Sequence, residues 1–225
     1  MEKIIAIDFS GTLIKPEIAE LASKKRFQIL QTEIPKNLKQ MLADNKHYDL
    51  NKEQISRLTN IKKNMKIKYN TNSKQQVELT GEQILTQIMT NLFQFAMYQV
   101  AKEKDIFPKN LIEILKKIKS KGYKLAIVSG IREDIISGML NISNCTIIDY
   151  IFGQNPILSY SNKELLNKIK GKIEYVIGDK LSDIQPAKEL KAKSIFVKWG
   201  HPTGGEEKLA DFTIKKPKEL LEIIK

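Results

Sequence analysis

Beyond Phe107 the chain alternates short apolar runs with segments of helical spacing, and few folds accept such an alternation. The pattern predicts a helix over Pro108–Lys121, ended by Gly122, and a strand at Leu125–Val128. A helix over Ile131–Leu140, a strand at Asp149–Phe152 and a helix over Lys163–Ile169 follow. Next come a strand at Glu174–Ile177, a helix over Ser182–Lys191, strands at Ser194–Val197 and Phe212–Ile214, and a closing helix over Pro217–Ile224. Strands that alternate with helices form a mainly parallel sheet covered on both faces. One further apolar run, Ile4–Asp8, stands alone near the start. Its natural partners are the strands beyond residue 107.

The segment between reads as an insertion. Pro16 suits the first turn of a helix reaching about Glu33, with Ile18, Leu21, Ala22, Ile29 and Leu30 at amphipathic spacing. Shorter helical pieces are expected around Lys36–Ala43 and Lys52–Asn60. Lys66–Tyr69 and Gln76–Leu79 read as a small hairpin about a turn at Asn70–Ser73. Thr80 to Gln83 has capping-box spacing and opens a helix to about Lys102, with Ile84, Leu85, Ile88, Leu92, Phe95 and Ala96 on one face. The expected organisation is an α/β core of residues 1–14 and 107–225 and an inserted, mostly helical cap of residues 15–106.

Composition narrows the setting. Cys145 is the single cysteine of 225 residues, so no internal disulfide forms and a reducing compartment is expected. Met1–Lys3 runs straight into an apolar strand with no signal-peptide h-region, and no stretch approaches the roughly 20 apolar residues that span a bilayer. These features predict a cytoplasmic protein with no membrane partner. The formal net charge of +12 can attract anions, from phosphorylated small molecules to nucleic acid. The lysines are scattered, which favours an ordinary solubilising surface.

In a parallel sheet, ligands bind beyond the carboxyl ends of the strands. The first strand is followed by Asp8-Phe9-Ser10-Gly11-Thr12, the second by Ser129-Gly130, and the strand at Glu174–Ile177 by Gly178-Asp179, with Asp183 four residues on. Each group alone has an ordinary explanation as a cap or turn former. Together they bring carboxylates and a hydroxyl to one crevice. Clustered carboxylates repel unless a cation sits among them, and oxygen donors suit a hard ion such as Mg²⁺. A carboxylate can also attack phosphorus to form an aspartyl-phosphate. A lysine is needed to offset the substrate charge. Lys163, which opens the helix before the Gly178-Asp179 strand, is the first choice, and Lys180 the second.

These residues resemble the haloacid dehalogenase superfamily. That family opens on an apolar strand followed by Asp-x-Asp-Gly-Thr, matched by Ile4 to Thr12 with Ser10 in place of the second aspartate. Its second motif, a strand ending in Ser or Thr, is matched by Leu125–Gly130. Its lysine is matched by Lys163, and its Gly-Asp-x-x-x-Asp by Gly178–Asp183. Val197–His201 also resembles the loop after the last core strand in phosphoglycolate-phosphatase-like members, and the insertion resembles their cap. The resemblance implies a Rossmann-like three-layer α/β sandwich and a Mg²⁺-dependent phosphomonoester phosphatase acting on a small phosphorylated substrate. Asp8 would be the nucleophile. Asp8, Asp179, Asp183 and the Ser10 carbonyl would hold the metal. Ser129, Gly130, Thr12 and Lys163 would hold the phosphate.

Ser10 is the departure. In the family the aspartate at that position protonates the leaving group and then activates water. Its loss is expected to slow turnover by about 10²–10⁴-fold. Two alternatives remain open: a dehalogenase or phosphonatase-type hydrolase, both of which carry non-acids here, or a binding protein that has lost turnover. The lysines at 62, 63, 66 and 68 beside Tyr69 would serve the last reading by contacting nucleic acid, the less favoured partner. The two histidines, His47 and His201, read as ordinary surface, with His201 close enough to the expected site for a substrate contact.

Overall fold

The computed structural model describes residues 1–32, 66–70, 76–154 and 160–225. In chain order the strands are β1 (Lys3–Ile7), β2 (Lys66–Asn70), β3 (Gln76–Thr80), β4 (Tyr123–Arg132), β5 (Tyr150–Gln154), β6 (Lys172–Gly178), β7 (Lys193–Val197) and β8 (Phe212–Ile214). The helices are α1 (Pro16–Thr32), α2 (Gly81–Ala101), α3 (Leu111–Lys119), α4 (Glu133–Ile142), α5 (Asn162–Leu166), α6 (Leu181–Glu189), α7 (Glu206–Leu209) and α8 (Leu220–Ile223), the last preceded by a 3₁₀ turn at Pro217–Glu219. The expected helical pieces at 36–43 and 52–60, His47, and the lysines at 62 and 63 lie outside the described residues.

Six strands form one sheet in the order β5-β4-β1-β6-β7-β8, and every neighbouring pair is parallel. The α/β sandwich read from the alternation is therefore present. β1 lies at its centre because both faces of the strand are covered: Ile4, Ile5 and Ala6 are fully buried and Ile7 is 3% exposed. Burying one such isoleucine is worth about 1.5–3 kcal/mol, so a shift of register would be heavily penalised and the position of Asp8 at the strand end is fixed. The strand order reverses at β1, with β4 on one side and β6 on the other. A crevice opens at such a reversal.

β4 is longer than its expected span. It continues through Ser129 and Gly130 to Arg132, with a register irregularity against β5 between Val128 and Arg132. Gly153 permits this close approach, because a Cβ there would stand 2.5 Å from the Ile131 carbonyl. The bulge delays α4, which starts at Glu133 and not at Ile131.

The described chain divides into two compact units, residues 1–22 with 97–225, and residues 23–96. The expected division lay at 14/15 and 106/107. The start of α1 and the end of α2 group with the sheet because Ile18, Ala22, Met97 and Val100 are buried. Within the first unit, the Lys15 amide donates to the Ile106 carbonyl at 2.8 Å, and the Lys15 ammonium lies 3.1 Å from Asp105. In the second unit, β2 and β3 pair antiparallel from Lys66↔Thr80 to Asn70↔Gln76, as the hairpin reading expected. Thr80 and Gln83 form the expected capping box at the start of α2. Phe95, expected on the buried stripe of α2, is 40% exposed. Ala96, Met97 and Val100 define the buried side, and they lie about 100–200° around the helix from Phe95.

After β7 the segment Trp199–Glu206 forms a strap beside the first-strand loop. The indole of Trp199 donates to the Thr12 carbonyl at 3.1 Å. The far end is tied by Glu206, which is 2% exposed. Its carboxylate accepts from the Thr203 amide at 2.6 Å, from the Gly204 amide at 2.8 Å and from the Thr203 hydroxyl. Burial alone would raise its pKa, but these hydrogen bonds outweigh it and hold the group down at about 2, against an ordinary 4.5. A group depressed on folding stabilises above its unfolded value and loses that contribution as pH falls through its folded value. The melting temperature of Glu206→Gln is therefore expected to lie below wild type at neutral pH. The gap should narrow between about pH 4.5 and 2, as thermal unfolding followed by circular dichroism would show.

Candidate active site

The tips of β1 and β6 are joined where the site begins. The Asp8 amide donates to the Ile177 carbonyl at 2.9 Å, extending the strand pairing by one step. The chain then folds back in a tight loop: the Leu13 amide donates to the Asp8 carbonyl at 3.2 Å and the Ile14 amide to the Phe9 carbonyl at 2.9 Å. Gly11 turns this loop at a φ of 91°, in the left-handed region that favours glycine. A Cβ there would also stand 2.5 Å from the Asp179 carboxylate.

Asp179 follows β6 and is 1% exposed. Its carboxylate accepts from the Thr12 hydroxyl at 3.3 Å and from the His201 amide at 2.6 Å. Gly200 allows the strap this close, since a Cβ there would be 2.3 Å from that of Asp179. Asp183, on the first turn of α6, is 5% exposed. It accepts from the Asn162 side-chain amide at 2.6 Å, the Lys180 backbone amide at 3.0 Å and the Ser182 hydroxyl at 3.3 Å. Gly178 leaves room for it, because a Cβ there would fall 2.2 Å from that of Asp183.

Asp8, Asp179 and Asp183 each offer an oxygen, and these three atoms all lie within 4.8 Å of one another. Burial raises the pKa of Asp8 well above the carboxylate range, and the charges of Asp183 and Asp179 raise it further. Asp183 is pushed up to about 6 by burial and by Asp179. The Lys180 charge opposes the shift on both. A trio of oxygen donors under mutual repulsion, with Asp8 half-buried and Asp179 and Asp183 buried, is the donor chemistry of a hard divalent cation.

The other expected residues are placed unevenly. Ser129 is 1% exposed, one position beyond the level of Asp8 on the neighbouring strand, and its hydroxyl accepts from the Ile131 amide at 3.3 Å. Gly130 follows it at the surface. Ser10 is half-buried and bridges to Ile14. Thr12 is 1% exposed and its hydroxyl donates to Asp179 at 3.3 Å. Lys163 does not join the carboxylates: its ammonium lies 2.5 Å from Glu189 and its side chain is 52% exposed. Lys180, the second choice, is the lysine whose charge reaches Asp8 and Asp183.

Sequence reasoning missed Asn162 and the two roles of His201. The His201 amide holds Asp179, while ring atom Nε2 lies 3.2 Å from the Pro16 carbonyl at the start of α1. The loop containing His201 was visible through its glycines. Nothing marked Asn162.

Comparison with known proteins shows which chains this one is similar to. The model of the haloacid dehalogenase-like hydrolases matches residues 31–197, a range that holds Ser129, Asp179 and Asp183 and begins after Asp8. A phosphoglycolate phosphatase of Aquifex aeolicus is 29% identical over 119 residues, covering 49% of this chain and 55% of that protein. The chain thus spans about half the length of the curated relative it matches. Two solved structures share the fold. CbbY of Rhodobacter sphaeroides, in complex with phosphate, has a TM-score of 0.62 at 15% identity, covering 98% of this chain and 96% of that one. YfnB of Bacillus subtilis, bound to magnesium, has a TM-score of 0.59 at 14% identity, covering 99% and 98%. By the family match across residues 31–197, the chain belongs to the haloacid dehalogenase-like hydrolases.

Proposed function

We propose that the protein is a Mg²⁺-dependent phosphatase that transfers a phosphoryl group from a small phosphomonoester to Asp8 and then to water. The observation that carries this reading is the convergence of Asp8, Asp179 and Asp183 oxygens within 4.8 Å at the ends of two adjacent parallel strands. The likeness to a phosphoglycolate phosphatase, to CbbY with phosphate and to YfnB with magnesium supports it.

Asp8, Asp179, Asp183 and the Ser10 carbonyl would hold the ion, which supplies positive charge against the phosphoryl oxygens. In the first step an Asp8 carboxylate oxygen forms a bond to phosphorus, and the bond to the ester oxygen breaks with its electron pair. In the second, a water oxygen attacks phosphorus, the electron pair returns to Asp8 and inorganic phosphate leaves. The Ser129 hydroxyl and Gly130 amide hold phosphoryl oxygens, and Lys180 offsets their charge. Thr12, Asn162 and the His201 amide keep Asp179 and Asp183 oriented, because both carboxylates are already anchored by these donors.

A Mg²⁺-stimulated release of phosphate that disappears in Asp8→Asn is expected. Release that survives Asp8→Asn, in protein of unchanged melting temperature, would remove Asp8 as the nucleophile. Steady-state kinetics should also separate the two lysines. Lys180→Ala is expected to lower kcat/KM by about 10²-fold or more, while Lys163→Ala leaves it unchanged.

A further inference from the structure

The crevice holds a nucleophile and a place for a cation, yet among the described residues nothing stands ready to protonate the departing group. Ser10, two residues past Asp8, has no hydrogen-bond partner for its hydroxyl among the described residues, and a serine hydroxyl is a poor acid at neutral pH. Among the described residues, the charges of Asp183, Asp179 and Lys180 are leading influences on Asp8. Asp179 is 1% exposed and held by Thr12 and the His201 amide. Asp183 is 5% exposed and held by Asn162 and the Lys180 amide. The His201 ring is engaged with the Pro16 carbonyl. Lys180 is the charge that opposes the repulsion on Asp8 and Asp183.

We propose that this site selects phosphorylated substrates whose leaving group is stable as an anion, namely acyl, enol and aryl phosphates, over alkyl phosphomonoesters. The proposal rests on Asp8 as the nucleophile. When the Asp8–phosphorus bond forms, the leaving oxygen takes the electron pair of the broken bond. A carboxylate, enolate or phenolate departs with that charge. An alkoxide needs a proton at once, and among the described residues no group stands free to give one. Among the described residues the second step lacks a base for the same reason. The incoming water must lose its proton to solvent or to the phosphoryl oxygens, so the aspartyl-phosphate is long-lived.

The test is a series of kcat/KM values with Mg²⁺ for acetyl phosphate, 4-nitrophenyl phosphate, phenyl phosphate and glycerol phosphate, joined to a rapid-mixing measurement of leaving-group release. In wild type, glycerol phosphate is expected to fall below the acyl and nitrophenyl esters by about 10²–10⁴-fold beyond the difference in Ser10→Asp, where an acid is restored. The acidic esters should give a burst of one leaving group per chain before steady turnover. A flat series in wild type, with release that still requires Asp8, overturns the selectivity and leaves the phosphatase reading standing. Release that persists in Asp8→Asn, or no release from any of the four esters, overturns the reading beneath it. Should Ser10→Asp fail to fold, the wild-type series and its burst decide the matter alone.

Discussion

Three carboxylates forced together at the end of a parallel sheet are the constraint on which the rest of this structure turns. Were all three ionised, unit charges 4.8 Å apart or closer would repel by roughly 3.5 kcal/mol or more per pair at an effective dielectric constant of about 20. That is a large fraction of the 5–15 kcal/mol or so by which a typical domain is stable. The arrangement persists because each carboxylate is held independently of the others. Asp8 is fixed by the fully buried strand that precedes it, Asp179 by Thr12 and the His201 amide, and Asp183 by Asn162 and the Lys180 amide. Three glycines remove the side chains that would push the acids apart: Gly11 and Gly200 beside Asp179, and Gly178 beside Asp183.

The supports reach the site from distant parts of the chain. Trp199 and His201 lie after the fifth strand of the sheet in chain order, yet they hold the first-strand loop at Thr12, the start of α1 at Pro16 and the carboxylate of Asp179. Glu206 ties the same strap from its other end. Placing Asp179 is thus a task of tertiary structure, shared by β1, β6 and the strap after β7. Against this closely supported frame, Ser10 is the one position of the first-strand loop whose chemistry departs from the resemblance. It leaves the carboxylate frame intact and, in the proposed reaction, changes which leaving groups that frame can expel.

Much of this was legible in the residues. The runs Ile4–Asp8 and Glu174–Ile177 read as strands because strands buried on both faces show no alternation, and they fall within or at the ends of the observed β1 and β6, with the carboxylates at their tips. The hairpin and the capping box at Thr80 were legible because both are local codes. The end of β4 was not. Ser129-Gly130 looks like a turn, and only the close approach of Gly153 keeps the chain extended to Arg132. Lys163 was chosen from its place along the chain, but the direction of a side chain on a five-residue helix is a matter of one position. Asn162 faces Asp183 while Lys163 turns to Glu189. The His201 contact to Asp179 uses a backbone amide, which every residue but proline carries and which leaves no mark in a sequence.

The central claim is that Asp8, Asp179 and Asp183 form one cation site. Calorimetric titration of the purified chain with Mg²⁺, without substrate, measures this directly, in wild type and in Asp179→Asn. One ion per chain in wild type, with affinity lost in Asp179→Asn while its melting temperature in the absence of metal stays level or rises as repulsion is relieved, is the expected result. No binding in wild type, or equal affinity in the two proteins, would contradict it.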